Sequence, residues 1–228
     1  MRIGAGLSRL KVVAVPAVAV TVGLVTASCT GDDRPGDKAP PSAVSSSAAG
    51  SSMTFEEAYR KLPMDGTKDL PNTWDLSGAP DTDEVLAARR GLVFSYWLGQ
   101  ATDWTPIVPI GRFVSTDEWY DKSLAPFVKV STAENPMIGP IWVNVMGVEK
   151  NGADQATVTF CTDHGYWRNA EASPQVRKDR ANLESYEMKN VVSGDGEHHW
   201  HVDKQIDNDR TREAKYGTQC TKWAQHKP

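Results

Sequence analysis

The hydrophobic pattern of residues 54–228 begins with helical periodicity and changes to a period of two after Pro126. A long amphipathic helix is predicted to begin after Asp81 or Thr82 and to end near Gly99, with acidic residues in its first turn. Its apolar face is formed by Val85, Leu86, Ala88, Leu92, Val93, Tyr96 and Trp97. Shorter helices are predicted after Thr54 and Ser115, because each has a capping-box glutamate three residues later.

Alternating apolar and polar residues then predict four strands arranged as two hairpins. The first hairpin pairs residues 141–146 with residues 157–161 around the turn "EKNGADQ". The second pairs residues 183–192 with residues 198–206 around a Ser-Gly-Asp-Gly turn. The apolar stretch "PIVPIGRFV", residues 106–114, is interrupted by proline and suits an edge strand or an extended connection.

The amino-terminal residues have the layout of an export signal. Three basic residues precede an apolar stretch over residues 12–27, which is shorter than the roughly 18 to 20 residues of a membrane span. The sequence "VTASC" resembles a bacterial lipobox, whose cysteine carries diacylglycerol after cleavage. We therefore expect a lipoprotein signal peptide over residues 1–28 and lipid attachment at Cys29. An ordinary secretory signal with a chance cysteine is the alternative.

Behind Cys29, the chain is rich in serine, alanine, proline and glycine as far as residue 53. Such a segment cannot bury enough apolar surface to offset its ordering entropy, so residues 29–53 are predicted to be a flexible tether. A coil of this length has a root-mean-square span of roughly 27 Å. Residues 54–228 are then predicted to form a single α+β domain, held close to the extracytoplasmic face of the cell membrane.

The charge of the chain narrows the choice of partners. The full sequence has 25 basic and 29 acidic side chains, and removal of the signal leaves 22 basic residues. A net charge near −7 argues against nucleic acid or an anionic lipid surface as the main partner, because both favour basic patches. The expected membrane contact is therefore the lipid anchor alone.

Two cysteines remain once Cys29 is assigned to lipid. Cys161 and Cys220 are predicted to form a disulfide, because the compartment outside the membrane is oxidising. For a loop of about 60 residues, the chain-entropy model gives a stabilisation on the order of 4 kcal/mol. The bond would clamp the carboxyl-terminal tail onto the sheet. A metal or redox pair is the alternative, although the sequence has no CxxC spacing.

The order of predicted elements resembles the nuclear transport factor 2-like fold. That resemblance implies an α+β cone, with three helices packed on a curved mixed sheet of four to five strands. The chain also resembles actinobacterial cell-envelope lipoproteins that carry such a domain behind a Ser/Ala/Pro tether. The stretches "VTFCTDHGYW" and "GEHHWHVDKQIDN" carry most of this resemblance, which covers roughly residues 54–207.

Three of the five histidines lie in "GEHHWH", residues 196–201. On a strand, His199 and His201 share one face, and His198, Trp200 and Val202 share the other. A zinc site needs three or four ligands, and the further candidates, Asp163, His164 and His226, have no spacing that enforces such a site. We therefore expect no metal or other cofactor. Trp200 and Val202 are predicted to pack in the core, with both histidines on the more solvated face.

A small set of polar and aromatic residues forms the candidate pocket or binding surface. The resemblance implies that an Asp or His inside the cone can act as a general base between aromatic walls. The residues are Tyr96, Tyr120, Trp142, Asp163, His164, Tyr166 and Trp167. Of these, Tyr166 and Trp167 lie at a predicted strand end next to a polar loop, which favours an aromatic binding surface there. The sequence contains no GxSxG, HExxH or phosphate-loop motif.

Together these features favour a lipid-anchored, non-catalytic envelope protein that binds a protein partner or a small ligand. One alternative is an isomerase or dehydratase type of enzyme that uses the cone cavity. Another is a structural accessory of a secretion, conjugation or cell-wall assembly. An open cavity containing Asp163 or a histidine would favour an enzyme or a carrier, whereas a filled cone with exposed aromatic residues would favour docking of a protein.

Overall fold

A five-stranded mixed sheet forms the centre of the described part of the chain. The computed structural model describes residues 53–129, 136–206 and 209–228. The strands are β1 (Asn72–Asp75), β2 (Met137–Ile138), β3 (Ile141–Lys150), β4 (Gln155–Asp163), β5 (Arg168–Asn169), β6 (Ala181–Val192) and β7 (His198–Ile206). The helices are α1 (Phe55–Lys61), α2 (Asp83–Gln100), α3 (Asp117–Ser123) and α4 (Arg210–Trp223), with 3-10 helices at Val108–Phe113 and Ala125–Phe127.

The sheet contains both predicted hairpins. Its strand order is β1-β3-β4-β6-β7, in which β1 is parallel to β3 and all other neighbours are antiparallel. The strands β2 and β5 form a separate two-stranded sheet. Neither β1 nor this small pair was predicted, because strands of two to four residues are too short to show an alternating pattern. The α+β class is confirmed.

The predicted helix starts are close to those observed. In α1, Thr54 Oγ1 accepts from Glu57 N at 3.2 Å and Glu57 Oε2 accepts from Thr54 N at 2.8 Å, so the capping box forms. The long helix α2 begins after Thr82. The third helix is capped by Thr116, one residue later than predicted, and Thr116 Oγ1 accepts from Trp119 N at 3.3 Å.

Two predicted segments differ from the structure. Residues 106–114 are not a strand, because Pro109 favours a helical start and the chain forms a 3-10 helix over Val108–Phe113. Residues 114–116, which follow this 3-10 helix, form backbone hydrogen bonds with β7. Val202 N donates to Val114 O and Thr116 N donates to Val202 O, both at 2.9 Å. The carboxyl-terminal tail is the helix α4, capped by Asp209, whose carboxylate accepts from Thr211 N.

The two faces of the sheet pack against different helices. The α2 face carries the main core, with Val143, Val158, Phe160, Tyr186 and Val202 buried against Leu92 and its neighbours on α2. The opposite α4 face is joined to α4 by the disulfide between Cys161 and Cys220, whose Cα atoms are 5.4 Å apart. The predicted disulfide is therefore confirmed. Among the described helices, none has the length and apolar character that a membrane span requires.

Candidate functional site

A buried polar cluster interrupts the apolar core on the α2 face. It consists of Tyr96 near the end of α2, Thr162 and His164 at the end of β4, and Glu184 on β6. All four residues have less than a tenth of their surface exposed. The side chains of Thr162 and Glu184 share this face with Phe160 and Tyr186, because alternate residues of a strand point the same way. The sheet thus brings a carboxylate, a phenol and an imidazole together.

The hydrogen bonds of this cluster define where its protons lie. The Tyr96 hydroxyl donates to Glu184 Oε1, and Thr162 Oγ1 donates to the same oxygen at 2.7 Å. His164 Nε2 lies 2.5 Å from the Tyr96 oxygen. A phenol has one hydrogen, and Tyr96 gives it to Glu184. His164 Nε2 therefore carries a proton and donates to Tyr96.

The cluster keeps its phenol and imidazole uncharged at neutral pH. Burial raises the pKa of Tyr96 well above 10, and the adjacent Glu184 carboxylate raises it further. Burial lowers the pKa of His164 to about 4, and the nearby Arg177 guanidinium contributes to this shift. Neutral His164 and Tyr96 can each form directional hydrogen bonds without the cost of burying a charge.

A cavity of about 480 Å³ opens beside the cluster. It is lined by Tyr96, His164 and Glu184 together with Ser95, Gly99, Met137, Trp167, Arg177, Asn182 and Gln205. We call this cavity the Tyr96 pocket. The Trp167 ring forms one wall, with its centroid 4.6 Å from that of His164 and 5.9 Å from that of Tyr96. The Trp167 Nε1 atom is buried and has no hydrogen-bond partner among the described residues, so it can donate to a ligand.

Asp163 does not belong to this pocket, although it precedes His164 in the chain. Its carboxylate lies on the α4 face, where Oδ1 and Oδ2 accept from the Arg180 guanidinium at 2.7 and 2.8 Å. The same carboxylate accepts from the His226 and Gly165 backbone N–H groups, each at 2.9 Å. The prediction that Asp163 and His164 line one pocket is therefore wrong. Asp163 instead fixes the tail that follows α4.

The other predicted pocket residues are also distributed elsewhere. Tyr120 is buried beneath the Arg112 guanidinium, whose carbon lies 4.1 Å from the Tyr120 ring centroid. Trp142 stacks on His226 with a centroid separation of 5.1 Å, and Tyr166 lies against the edge of Trp142 at 6.2 Å. Of the seven predicted site residues, the Tyr96 pocket brings together Tyr96, His164 and Trp167.

Among the site residues that the sequence analysis missed, Glu184 has the clearest signal in the sequence. The stretch "ESYEM" places Glu184 two residues before Tyr186 and four before Met188, both of which are fully buried. A carboxylate in register with core positions is unusual, because buried charges require partners. The alternating pattern of β6 therefore indicated that Glu184 is buried and needs hydrogen-bonding partners.

Of the two histidines predicted to lie on the more solvated face, His199 is partly exposed and His201 is buried. Val202 is buried and Trp200 packs against the core, as expected. The prediction for His201 is wrong, since only 3% of its surface is exposed. Phe55 of α1 covers this face, stacking on His199 at a centroid distance of 4.0 Å and meeting the edge of His201 at 5.8 Å.

Comparisons with known proteins assign no family to this chain. No protein-family model matches the sequence, and no curated protein shows significant similarity to it. Across the described ranges, no three His, Cys, Asp or Glu side chains are grouped so that they could hold a metal ion.

Proposed function

We propose that this protein is anchored by lipid at the extracytoplasmic face of the cell membrane and binds a small polar ligand in the Tyr96 pocket. The observation that carries the proposal is the buried network of Glu184, Tyr96 and His164 beside an open cavity with an unpaired Trp167 N–H group. An open cavity containing a histidine favours a ligand over the docking of a protein.

The polarity of the pocket supports this choice. Burial of a carboxylate, an imidazole and a phenol costs free energy that an apolar core would avoid. The cavity offers acceptors at Glu184 and donors at Trp167 and Arg177. It therefore suits a ligand with both hydrogen-bond donors and acceptors, such as a small hydroxy or amino acid. The position of the pocket between α2 and the sheet supports a nuclear transport factor 2-like cone as part of the proposal.

A second candidate function is proton transfer on the bound molecule. The hydrogen-bonded series from Glu184 through Tyr96 to His164 favours it, because such a series can accept and return a proton. In this function, the compound that leaves the pocket differs from the compound that enters it. Incubation in D2O followed by mass spectrometry of the ligand separates the two functions, because a carbon-bound proton that is removed and returned is replaced by deuterium.

We expect a ligand of this class to raise the melting temperature of the mature protein, purified in detergent. The probes are a panel of small hydroxy and amino carboxylic acids, together with any small molecule retained in native mass spectrometry. A ligand at 100 times its Kd adds about 2.7 kcal/mol, which corresponds to roughly 5 to 10 °C. Glu184→Gln should abolish the shift because it removes the buried charge.

The matched control for this experiment is Glu187→Gln. Glu187 is on the same strand, but its odd-numbered position places it on the opposite face of the sheet from Glu184. This variant should respond to the ligand as the wild type does. The proposal is wrong if no panel member shifts the wild type more than Glu184→Gln and no small molecule is retained by the wild type.

The proposed lipid anchor has a direct test at Cys29, which lies outside the described residues. Cys29→Ala should abolish the acyl mass on the mature protein and release it from the membrane fraction, because only this thiol would carry diacylglycerol. Ser28→Ala is the matched control, since it keeps a small residue before the cysteine. Detergent-phase partitioning and intact mass check both variants. Acyl mass on Cys29→Ala would exclude the anchor.

A further inference from the structure

A second buried histidine, His201, lies outside the Tyr96 pocket, on β7 close to the turn between β6 and β7. His201 Nε2 is 3.0 Å from Ser193 Oγ, and His201 Nδ1 is 2.9 Å from the backbone carbonyl oxygen of Ser115. Ser193 follows β6 directly and is only partly buried, whereas His201 is almost fully buried. The Ser193 hydroxyl therefore contacts one nitrogen of the His201 ring, while the Ser115 carbonyl oxygen holds the other nitrogen.

The direction of these hydrogen bonds follows from the chemistry of the partners. A carbonyl oxygen only accepts, so His201 Nδ1 carries a proton and donates to Ser115. Burial lowers the pKa of His201, although the bond to Ser115 opposes this effect, so the ring is neutral at neutral pH. Its Nε2 atom then has a lone pair, and Ser193 Oγ–H donates to it. A serine activated by a general base requires this arrangement.

The packing around His201 holds the ring in this orientation. Phe55 meets its edge at a centroid distance of 5.8 Å, and the His199 ring lies 6.2 Å away. The Ser115 carbonyl takes the orienting position that a carboxylate occupies in a Ser-His-Asp triad. The titratable and charged groups that act on His201 are His199, Asp117 on α3 and Asp195 in the turn.

A groove of about 720 Å³ lies beside Ser193 and His201, both of which line it. Its apolar lining comes from Met53, Phe55, Phe113, Val191 and Val192. The charged residues Glu56, Arg112, Asp117 and Asp195 also line the groove, and its apolar part suits an aliphatic chain of several carbons. The groove and the hydroxyl together suit a molecule with an apolar chain beside an electrophilic carbon.

We propose that Ser193 and His201 are the nucleophile and general base of a site that hydrolyses carboxylic esters with an apolar acyl chain. The acyl chain lies in the groove next to Phe55 and Phe113. The N–H group of Gly194, which donates no hydrogen bond to the described residues, stabilises the oxyanion. This site is separate from the Tyr96 pocket, and neither depends on the other.

The reaction balances without any further reactant except water. Ser193 Oγ attacks the ester carbonyl carbon while its proton passes to His201 Nε2, and a tetrahedral oxyanion forms. The bond to the alkoxy oxygen then breaks, and the proton on His201 Nε2 passes to the leaving alcohol. Water, deprotonated by His201, attacks the acyl-serine and releases the carboxylic acid. Ser193 regains its proton from His201.

The test uses the mature protein in detergent with two probes, an alkyl fluorophosphonate and p-nitrophenyl hexanoate. We expect the fluorophosphonate to label Ser193 in the wild type, as located by peptide mass spectrometry. Ser193→Ala should lose the label, and both Ser193→Ala and His201→Gln should hydrolyse the ester about 100-fold more slowly or worse. Ser77→Ala and His198→Gln are matched controls at exposed positions and should behave as the wild type.

A pair of substitutions at Gly194 tests the oxyanion donor. Gly196 N donates to Ser193 O at 2.9 Å, so Gly194 is the second residue of a turn, where proline is favoured. Gly194→Pro removes the N–H group and should slow hydrolysis about 100-fold, whereas Gly194→Ala keeps it. An added Cβ at Gly194 has open space around it.

Two results would overturn the proposal. One is a wild-type protein that takes no label at Ser193; the Ser193–His201 hydrogen bond would then only brace the hairpin. The other is ester hydrolysis that persists unchanged in a folded Ser193→Ala variant. Melting temperatures confirm folding, and labelling of the wild type decides the question even if His201→Gln does not fold. Ligand binding in the Tyr96 pocket is measured separately, so failure of one proposal leaves the other intact.

Discussion

Replacing Asp163 with alanine is expected to lower the free energy of unfolding by about 3 to 5 kcal/mol, as removal of one partner from a buried ion pair commonly does. The Asp163 side chain is fully buried and binds Arg180 through both carboxylate oxygens. Burial alone would raise its pKa, but the Arg180 and His226 donors lower it, so the folded protein favours the ionised form. The variant leaves the largely buried Arg180 guanidinium without its counter-charge.

Urea unfolding followed by tryptophan fluorescence measures this loss. Asp121→Ala is the matched control, because Asp121 forms an exposed ion pair with Arg112 at 3.5 Å. Such surface pairs contribute about 1 kcal/mol or less. If Asp163→Ala were no less stable than Asp121→Ala, the carboxylate would not fix the tail as described. Ligand binding in the Tyr96 pocket should survive in Asp163→Ala below its unfolding midpoint, because Asp163 does not line that pocket.

The local signals in the sequence predicted those parts of the fold that depend on near neighbours. The capping box at Thr54, the capping signal at Ser115, which is one residue before the observed cap, and the alternating hairpin strands each act within a few residues of the chain. The helix α4 escaped prediction because only Tyr216, Gly217 and Cys220 of its residues are buried, which leaves little apolar periodicity. Its position comes instead from the disulfide and from contacts with distant residues.

In the candidate site, too, the sequence predicted what depends on near neighbours in the chain and missed what depends on distant contacts. His164 and Trp167 were predicted and lie together, whereas Asp163 was grouped with them although neighbouring strand residues face opposite ways. Strict use of that rule would have separated Asp163 from Thr162 and its face. His201 was assigned to the solvated face because the sequence does not show that Phe55, far along the chain, covers it. Burial of a strand residue by a distant residue depends on tertiary packing rather than on strand periodicity.

Loss of the bond between Cys161 and Cys220 should be the other large effect on stability. The two residues are 59 positions apart, and both side chains are buried between β4 and α4. For a loop of this length the chain-entropy model gives about 4 kcal/mol, and native disulfides in secreted domains commonly contribute roughly 2 to 5 kcal/mol. The double variant Cys161→Ala/Cys220→Ala should lose this amount without leaving a free thiol in the interface.

The bond is one of several contacts that hold α4, so its loss should loosen that helix before the sheet unfolds. Trp223 Nε1 still donates to Asp75 at 3.1 Å, and His226 still donates to Asp163. We therefore expect the amides of α4 to lose hydrogen-exchange protection in the double variant, while those of β4 and β6 keep more of theirs. A reductant provides the internal control: it should lower the urea midpoint of the wild type to that of the variant and leave the variant unchanged. Equal midpoints for wild type and variant without reductant would show that the bond does not contribute this stability, and alkylation of both cysteines in unreduced, denatured wild type would show that the bond is absent.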